Sequence, residues 1–232
     1  MTEGDDAAVD GRKRAAAMAA LELVEDGMRL GLGTGSTTSH LLQGIAARGL
    51  EVAGVPTSEA TRAHCEELGI ALLTPAEVER LDLAIDGADE LDRTVTATKG
   101  GGGALLREKV VATMAEPFVL IATTDKLVDR LADTFPLPVE VVPFAAAPVT
   151  RQLRARGYEV ALRTAGEGPP VVTDNGNHLL DARRPGGLED PAAEDAWLNS
   201  LPGVVTAGLF VGLADLALLA EADGSVVALE PR

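Results

Sequence analysis

Polar and apolar positions fall into short blocks whose period changes along the chain. From 12 to 25 the apolar residues Ala16, Ala19, Ala20, Leu23 and Val24 recur at helical spacing, which predicts a helix packed on a sheet. The acidic, polar residues 1 to 11 read as a frayed tail. Residues 28 to 32 read as a strand, Gly33-Thr34-Gly35-Ser36-Thr37 as a turn, and the following residues to about 48 as a helix. The same reading gives a strand at 50–55, a helix at 59–68, a strand at 70–73 and a short helix at 75–81. Leu83-Ala84-Ile85 is a buried strand that runs into the acidic turn Asp86-Gly87-Ala88-Asp89-Glu90. Four glycines, 100 to 103, then open a helix that lasts to about 114, and 117–122 is a further buried strand. Strand alternating with helix predicts an α/β unit with a doubly wound, mostly parallel sheet.

The pattern shifts at Phe135-Pro136-Leu137-Pro138. A strand at 139–143 leads to a helix at 148–156, with Thr150 or a neighbour as its cap. Strands at 158–162 and 171–173 come next. Asn175-Gly176 before Leu179-Leu180 is a hairpin turn signal, and a helix at 190–201 and a strand at 203–210 close the series. That β-α-β-β-α-β order predicts a second, smaller, ferredoxin-like α+β unit over 132–210. The last segment, 214 to 229, reads as a hairpin returning to the first sheet. The first unit is therefore expected over 1–131 plus 211–232. No internal repeat or low-complexity segment interrupts this order.

Composition narrows the function classes. Aromatics make up only 3% of the 232 residues, so the core must be Ala, Val and Leu. The longest apolar stretch, 204–220, is broken by Asp215 and reads as buried structure, so no membrane association is expected. The acidic N-terminus is no signal peptide. One cysteine, Cys65, excludes an internal disulfide and fits a reducing cytoplasm; it reads as a structural thiol. His40, His64 and His178 are scattered over helix or hairpin surfaces and form no metal set, and Arg183-Arg184 reads as a solvated loop. The net charge of −16 argues against nucleic acid as a partner. It also requires that any anionic ligand meet a local concentration of positive groups. Lysines are few: Lys13, Lys99, Lys109 and Lys126 are the only four.

The chemistry gathers at 82–112. Asp86 and Asp89 stand at the C-terminal end of a buried strand, where open α/β sheets place their ligands. Lys99 precedes glycines whose amides can approach a ligand closely, at the N-terminus of a helix that carries Arg107, Glu108 and Lys109. Upstream, the glycines of 33–37 permit a tight turn, and Thr34, Ser36 and Thr37 put hydroxyls beside free helix amides, which makes a phosphate cradle. Position 36 is Ser rather than the third glycine of a dinucleotide fingerprint, and no Gly-Lys-Ser/Thr follows for a P-loop. Carboxylates, one ammonium and exposed amides suffice to move a proton between adjacent carbons of a sugar and to hold the enediolate that forms, without metal, flavin or nicotinamide.

Taken together, GLGTGST, DGADE, KGGGGALLREK, FPLPVEVVPFA and TDNGN resemble type A ribose-5-phosphate isomerases, in order and from about Lys13 to the C-terminus. The resemblance implies a Rossmann-like domain with a ferredoxin-like lid, no cofactor and no metal, and a homodimer or homotetramer. It implies Glu108 as general base between C2 and C1. Asp86 and Asp89 are implied to bind sugar hydroxyls and assist ring opening or oxygen protonation, with Gly87 and Ala88 beside them. Lys99 and the amides of Gly100, Gly101 and Gly102 would stabilise the enediolate oxygens. Thr34, Gly35, Ser36, Thr37 and Lys126 would contact substrate, with Lys13 near its phosphate. Other classes fit less well. A sugar-phosphate sensor should carry a basic helix-turn-helix before the sheet, and residues 1–27 have no room for one. An amino-sugar-phosphate deaminase should place histidine near its acidic pair, and none lies between 65 and 177. A dinucleotide-dependent oxidoreductase lacks its fingerprint.

Overall fold

The structure is a computed structural model that describes residues 3–231, with side chains from Asp6 onward. The first unit runs α1 (Glu3–Leu21), β1 (Arg29–Leu32), α2 (Ser36–Arg48), β2 (Ala53–Pro56), α3 (Glu59–Leu68), β3 (Ala71–Leu72), β4 (Leu83–Gly87), β5 (Glu90–Leu91), β6 (Ala97–Thr98), α4 (Leu105–Thr113) and β7 (Phe118–Thr123). There follow β8 (Leu137–Val141), α5 (Ala146–Ala155), β9 (Glu159–Leu162), β10 (His178–Arg183), α6 (Pro191–Ser200) and β11 (Val204–Ala207). The chain closes with β12 (Leu209–Phe210), β13 (Leu216–Ala220) and β14 (Val226–Leu229).

Seven strands form one sheet in the order β14-β13-β7-β4-β1-β2-β3, parallel except for the edge strand β14. Its strands are mostly apolar, and their side chains alternate between two cores, as the two-residue period of a strand requires. In β7, Val119 and Ile121 join the core under α1, α2 and α3, while Phe118, Leu120 and Ala122 join the one under α4. In β4, Leu83 and Ile85 face the first core and Ala84 the second. The terminal hairpin does return to this sheet, β13 lying parallel to β7.

The second sheet, β11-β8-β10-β9, is antiparallel and carries α5 and α6 on one face. Leu137, Val139, Val141, Leu180 and Ala182 point into that core. The intervening residues, among them Pro138, Glu140, Leu179 and Asp181, belong to the opposite face, and Pro138 and Leu179 reach Gly100 and Gly103 of the glycine run. The architecture is thus α/β, a doubly wound sheet with a smaller ferredoxin-like α+β part.

Several local expectations differ. Residues 3–11 are helical rather than frayed, and α1 stops at Leu21 rather than at 25; acidic residues complement the positive end of a helix, and Ala7 and Ala8 favour it. Residues 1 and 2 lie outside the described part. The helix expected at 75–81 is absent: the Thr74 amide and hydroxyl both donate to Glu77, closing a turn, and Leu81 is drawn into a bridge with Ala115. Thr150 donates to the Ala146 carbonyl inside α5 instead of capping it. The strand at 171–173 reduces to a single bridge, Val172 to His178, since Pro169 and Pro170 donate no amide to a ladder. β5 and β6, with β12 beside them, form a small sheet the periodicity did not reveal.

The strand expected at 203–210 is two strands in different sheets, divided at Gly208. There the chain crosses from the second sheet to β6, donating to the Pro138 carbonyl and accepting from the Lys99 amide, both at 2.8 Å. A Cβ at Gly208 would stand 2.1 Å from the Lys99 carbonyl, so only glycine permits the crossing.

Candidate active site

Strand β4 ends where the parallel sheet offers its carboxyl edge, and Asp86 is its fourth residue. Its side chain is only 4% exposed. Oδ1 accepts the Thr34 amide at 3.0 Å and the Gly87 amide at 2.7 Å, and Oδ2 pairs with the Lys99 ammonium at 2.9 Å. The carboxylate fits because position 33 is glycine: a Cβ there would stand 2.1 Å from Oδ1. Lys99, at the end of β6, also donates to the Gly87 carbonyl at 2.7 Å. Its third neighbour is Glu108, whose Oε2 lies 3.4 Å away and has no hydrogen bond in acceptable geometry.

Glu108 is buried in the first turn of α4, near the end of the helix that has no side-chain cap. Burial lifts its carboxyl far above the usual range, and Asp86 and Asp89 add to this; Lys99 opposes them. Burial works against the Lys99 charge, but the surrounding carboxylates, Asp86 first, outweigh it and hold the ammonium protonated. Burial likewise raises Asp89, against the Gly101 amide on its Oδ2 at 2.7 Å and the charges of Lys99, Lys126 and Arg163. A carboxyl raised beside an ammonium that stays charged is an acid–base pair, the pattern that marks proton-transfer sites.

These groups border a cleft of about 450 Å³. Asp89, Lys99, Glu108 and residues 87, 88 and 100–102 line it together with 34–37, Lys13 and Lys126. Of the residues singled out from sequence, Asp86 alone stands behind the wall. Along the cleft α2 begins at Ser36 without a side-chain cap, its preceding Gly35 at φ +116°. Lys13 reaches in from α1 to within 3.0 Å of the Ser36 hydroxyl. Lys126 follows β7 and packs over the Phe135 ring. Uncapped amides with two ammoniums are groups that can attract an anion in an otherwise acidic protein. A cleft of equal volume lies among Arg130, Arg156 and Arg184, so size alone does not select the site.

Some placements differ from the sequence reading. The Thr34 hydroxyl turns away from the phosphate cradle into a cluster with Thr57, Ser58 and Thr61. The Gly101 amide, expected to meet substrate, is committed to Asp89. Asp125, bound by Arg12 at 3.0 Å, and Thr123 also line the cleft and were not foreseen. Glu90, the last residue of the acidic turn, points elsewhere: it accepts the Ala132 and Phe135 amides and the Thr134 hydroxyl, holding the start of the second unit. Glu140 accepts from Thr173, Asn175 and Asn177, which explains why the two motifs occur together. Arg183 and Arg184 are not simply solvated: Arg183 pairs with Glu159 and Asp133, and Arg184 stacks on Tyr158. The histidines are half-buried, with the His178 Nδ1 out of water. Cys65 is buried, which pushes its thiol up to about 11, as a structural thiol should behave. Among the described residues no group of three His, Cys, Asp or Glu side chains is placed to hold a metal, and no helix is long and apolar enough to cross a membrane.

Comparison with known proteins supplies the family. The family profile of ribose 5-phosphate isomerase A (phosphoriboisomerase A) matches residues 53–224. The chain is 49% identical to ribose-5-phosphate isomerase A of Nitrobacter hamburgensis, over 93% of this chain and 96% of that one. It is 50% identical to the Roseiflexus castenholzii protein of the same name, over 92% and 93%. Among solved structures, a D-ribose-5-phosphate isomerase in complex with phospho-erythronic acid superposes with a TM-score of 0.91 at 36% identity, covering 96% of this chain and 99% of that one. The enzyme from Methanocaldococcus jannaschii superposes with a TM-score of 0.88 at 37% identity, over 94% and 98%. With a relative near half identity along almost its whole length, and an acid–base cleft where its parallel sheet ends, the chain belongs to the ribose-5-phosphate isomerase A family and is an isomerase.

Proposed function

We propose that the chain interconverts D-ribose 5-phosphate and D-ribulose 5-phosphate through an enediolate, with Glu108 as the base. The observation that carries this is the buried Glu108 carboxyl at the cleft wall, raised by burial and 3.4 Å from an ammonium that stays charged. In the open-chain aldose, Glu108 takes the C2 proton, and the electron pair of that bond forms the C1–C2 double bond of the enediolate. Glu108 then returns a proton to C1, while a proton passes from O2 to O1, leaving the ketose. Negative charge grows on the two oxygens, where Lys99 and the loop amides can meet it.

Asp89 borders the cleft and suits ring opening and oxygen protonation. Asp86 acts from behind, fixing Lys99 and the Thr34 and Gly87 amides. The phosphate fits the N-terminus of α2 with Lys13 and Lys126. Phospho-erythronic acid, carried by the similar solved enzyme, is a phosphorylated sugar acid whose planar carboxylate has the shape of an enediolate. We also take 1–131 with 211–232 as the catalytic unit and 132–210 as a lid, in a cytoplasmic homo-oligomer.

The test is incubation of the purified protein with ribose 5-phosphate alone in heavy water. Ribulose 5-phosphate carrying solvent deuterium at C1 is expected, because a base-held proton can exchange before it returns. Absence of turnover would sink the activity. Complete retention of the C2 hydrogen would point to hydride shift or a fully shielded base.

A further inference from the structure

We infer that Arg163, from the second sheet, is a positioning residue for this reaction: its guanidinium clamps the glycine loop that meets the developing charge. The inference rests on the role just proposed for that loop. Arg163 directly follows β9, and its backbone is held on both sides, its amide on the Leu179 carbonyl and its carbonyl on the Val171 amide. The side chain is 16% exposed. Its Nη1 donates to the carbonyl of Gly100 at 3.0 Å and to that of Gly101 at 2.9 Å. The other edge of the guanidinium is locked onto both oxygens of Asp181, Nε to Oδ2 at 2.9 Å and Nη2 to Oδ1. A planar fork held bidentately has one orientation, so the two carbonyls are held in one place.

The consequence lies on the opposite side of each peptide. Fixing the Gly100 carbonyl orients the Gly101 amide, which binds Asp89. Fixing the Gly101 carbonyl orients the Gly102 amide, at the most exposed point of the run along the cleft. Glycine has no side chain to restrict φ and ψ, and Gly100 sits at φ +102°. A run of four glycines therefore needs an outside constraint to present its amides in fixed directions, and Arg163 supplies one. Its charge also faces Asp89, together with Lys99, Lys126 and the carboxyl of Glu108.

The test compares Arg163→Met, Arg163→Lys and Asp181→Asn with wild type. Arg183→Met is the control, since that arginine lies in the same sheet but touches only Glu159 and Asp133. Amide exchange of the segment 97–105 and steady-state kinetics are read on each folded variant. Arg163→Met should speed exchange in the loop and lower kcat by about 10- to 100-fold, as displaced transition-state donors do. KM should change less than about threefold, because the phosphate end of the cleft is untouched. The acid limb of kcat/KM should move to higher pH as Asp89 loses a positive neighbour. Arg163→Lys, with charge but no fork, should restore the acid limb and only part of kcat. Asp181→Asn gives an independent reading should Arg163→Met fail to fold. Unchanged loop exchange would overturn the clamp. Faster exchange with wild-type kcat would overturn the inference through the reading beneath it, leaving the loop without a catalytic part.

Discussion

Replacing Glu108 with Gln separates the chemistry of this carboxyl from its packing, because shape and hydrogen-bonding atoms are kept while ionisation is lost. If Glu108 moves the C2 proton, kcat should fall by about 10²–10⁴, the usual worth of a positioned general base. KM should change little, since substrate is held mainly at the α2 end and by Lys126. The same substitution has a second, thermodynamic signature. Burial raises the carboxyl from an ordinary 4.5 to about 8. A carboxyl raised on folding gives stability that is fully present below its unfolded value and is lost as pH rises from about 4.5 through about 8. Gln cannot ionise, so the variant escapes that loss. Each tenfold change in an ionisation constant is worth about 1.4 kcal/mol, so the variant should gain on wild type by a few kcal/mol between pH 5 and 9. The gain is reduced because Lys99 loses one of its anionic neighbours. Urea unfolding at pH 5 and pH 9, with kcat at pH 7.5, reads both effects. A kcat within threefold of wild type, or a stability difference that does not change with pH, would refute the reasoning.

Three further outcomes follow from the geometry. Gly33→Ala puts a methyl 2.1 Å from Asp86 Oδ1; it should cost about 1–3 kcal/mol in urea unfolding and lower kcat through the displaced Lys99, and wild-type values for both would show that Asp86 can move freely. Lys126→Met and Lys13→Met should each raise KM for ribose 5-phosphate about 10- to 100-fold, the worth of a charge-assisted hydrogen bond at about 1.4 kcal/mol per decade, with kcat within a few-fold; a kcat loss at constant KM would move that lysine from phosphate to chemistry. With a net charge of −16, the melting temperature should rise between low and molar salt as self-repulsion is screened, and a flat or falling curve would show that the charge is dispersed without strain.

Local pattern along the chain carried the fold class and the adjacent chemistry. Strand alternating with helix gave the parallel sheet, and the short βαββαβ run gave the second one, because periods of 2 and 3.6 report burial directly. Adjacent chemistry was also legible: Asp86 and Asp89 at a strand end, and Lys99 and Glu108 on either side of four glycines, are close in space because they are close in the chain. The room that Gly33 leaves for the Asp86 carboxylate was not legible, since it depends on β1 and β4 being neighbours.

Partnerships between distant segments came instead from how the elements pack. Gly208 divides one apolar run between two sheets because it crosses the Lys99 backbone, which no period along the chain can signal. The Thr34 hydroxyl read as a cradle group because it stands in a turn, but Thr57, Ser58 and Thr61 from the next βα unit take it. Asp86 and Asp89 look equivalent in a five-residue turn, yet β4 carries the first inward to Lys99 while the bend after it carries the second to the cleft. Glu90, in the same turn, is claimed by residues 132–135 instead. Arg163 is one of sixteen arginines in sequence and becomes singular only through Asp181 and two glycine carbonyls. Hydrophobic period fixes which face of an element is buried; which polar groups then meet across the buried faces depends on how the elements pack, and that is where the site acquires its charges.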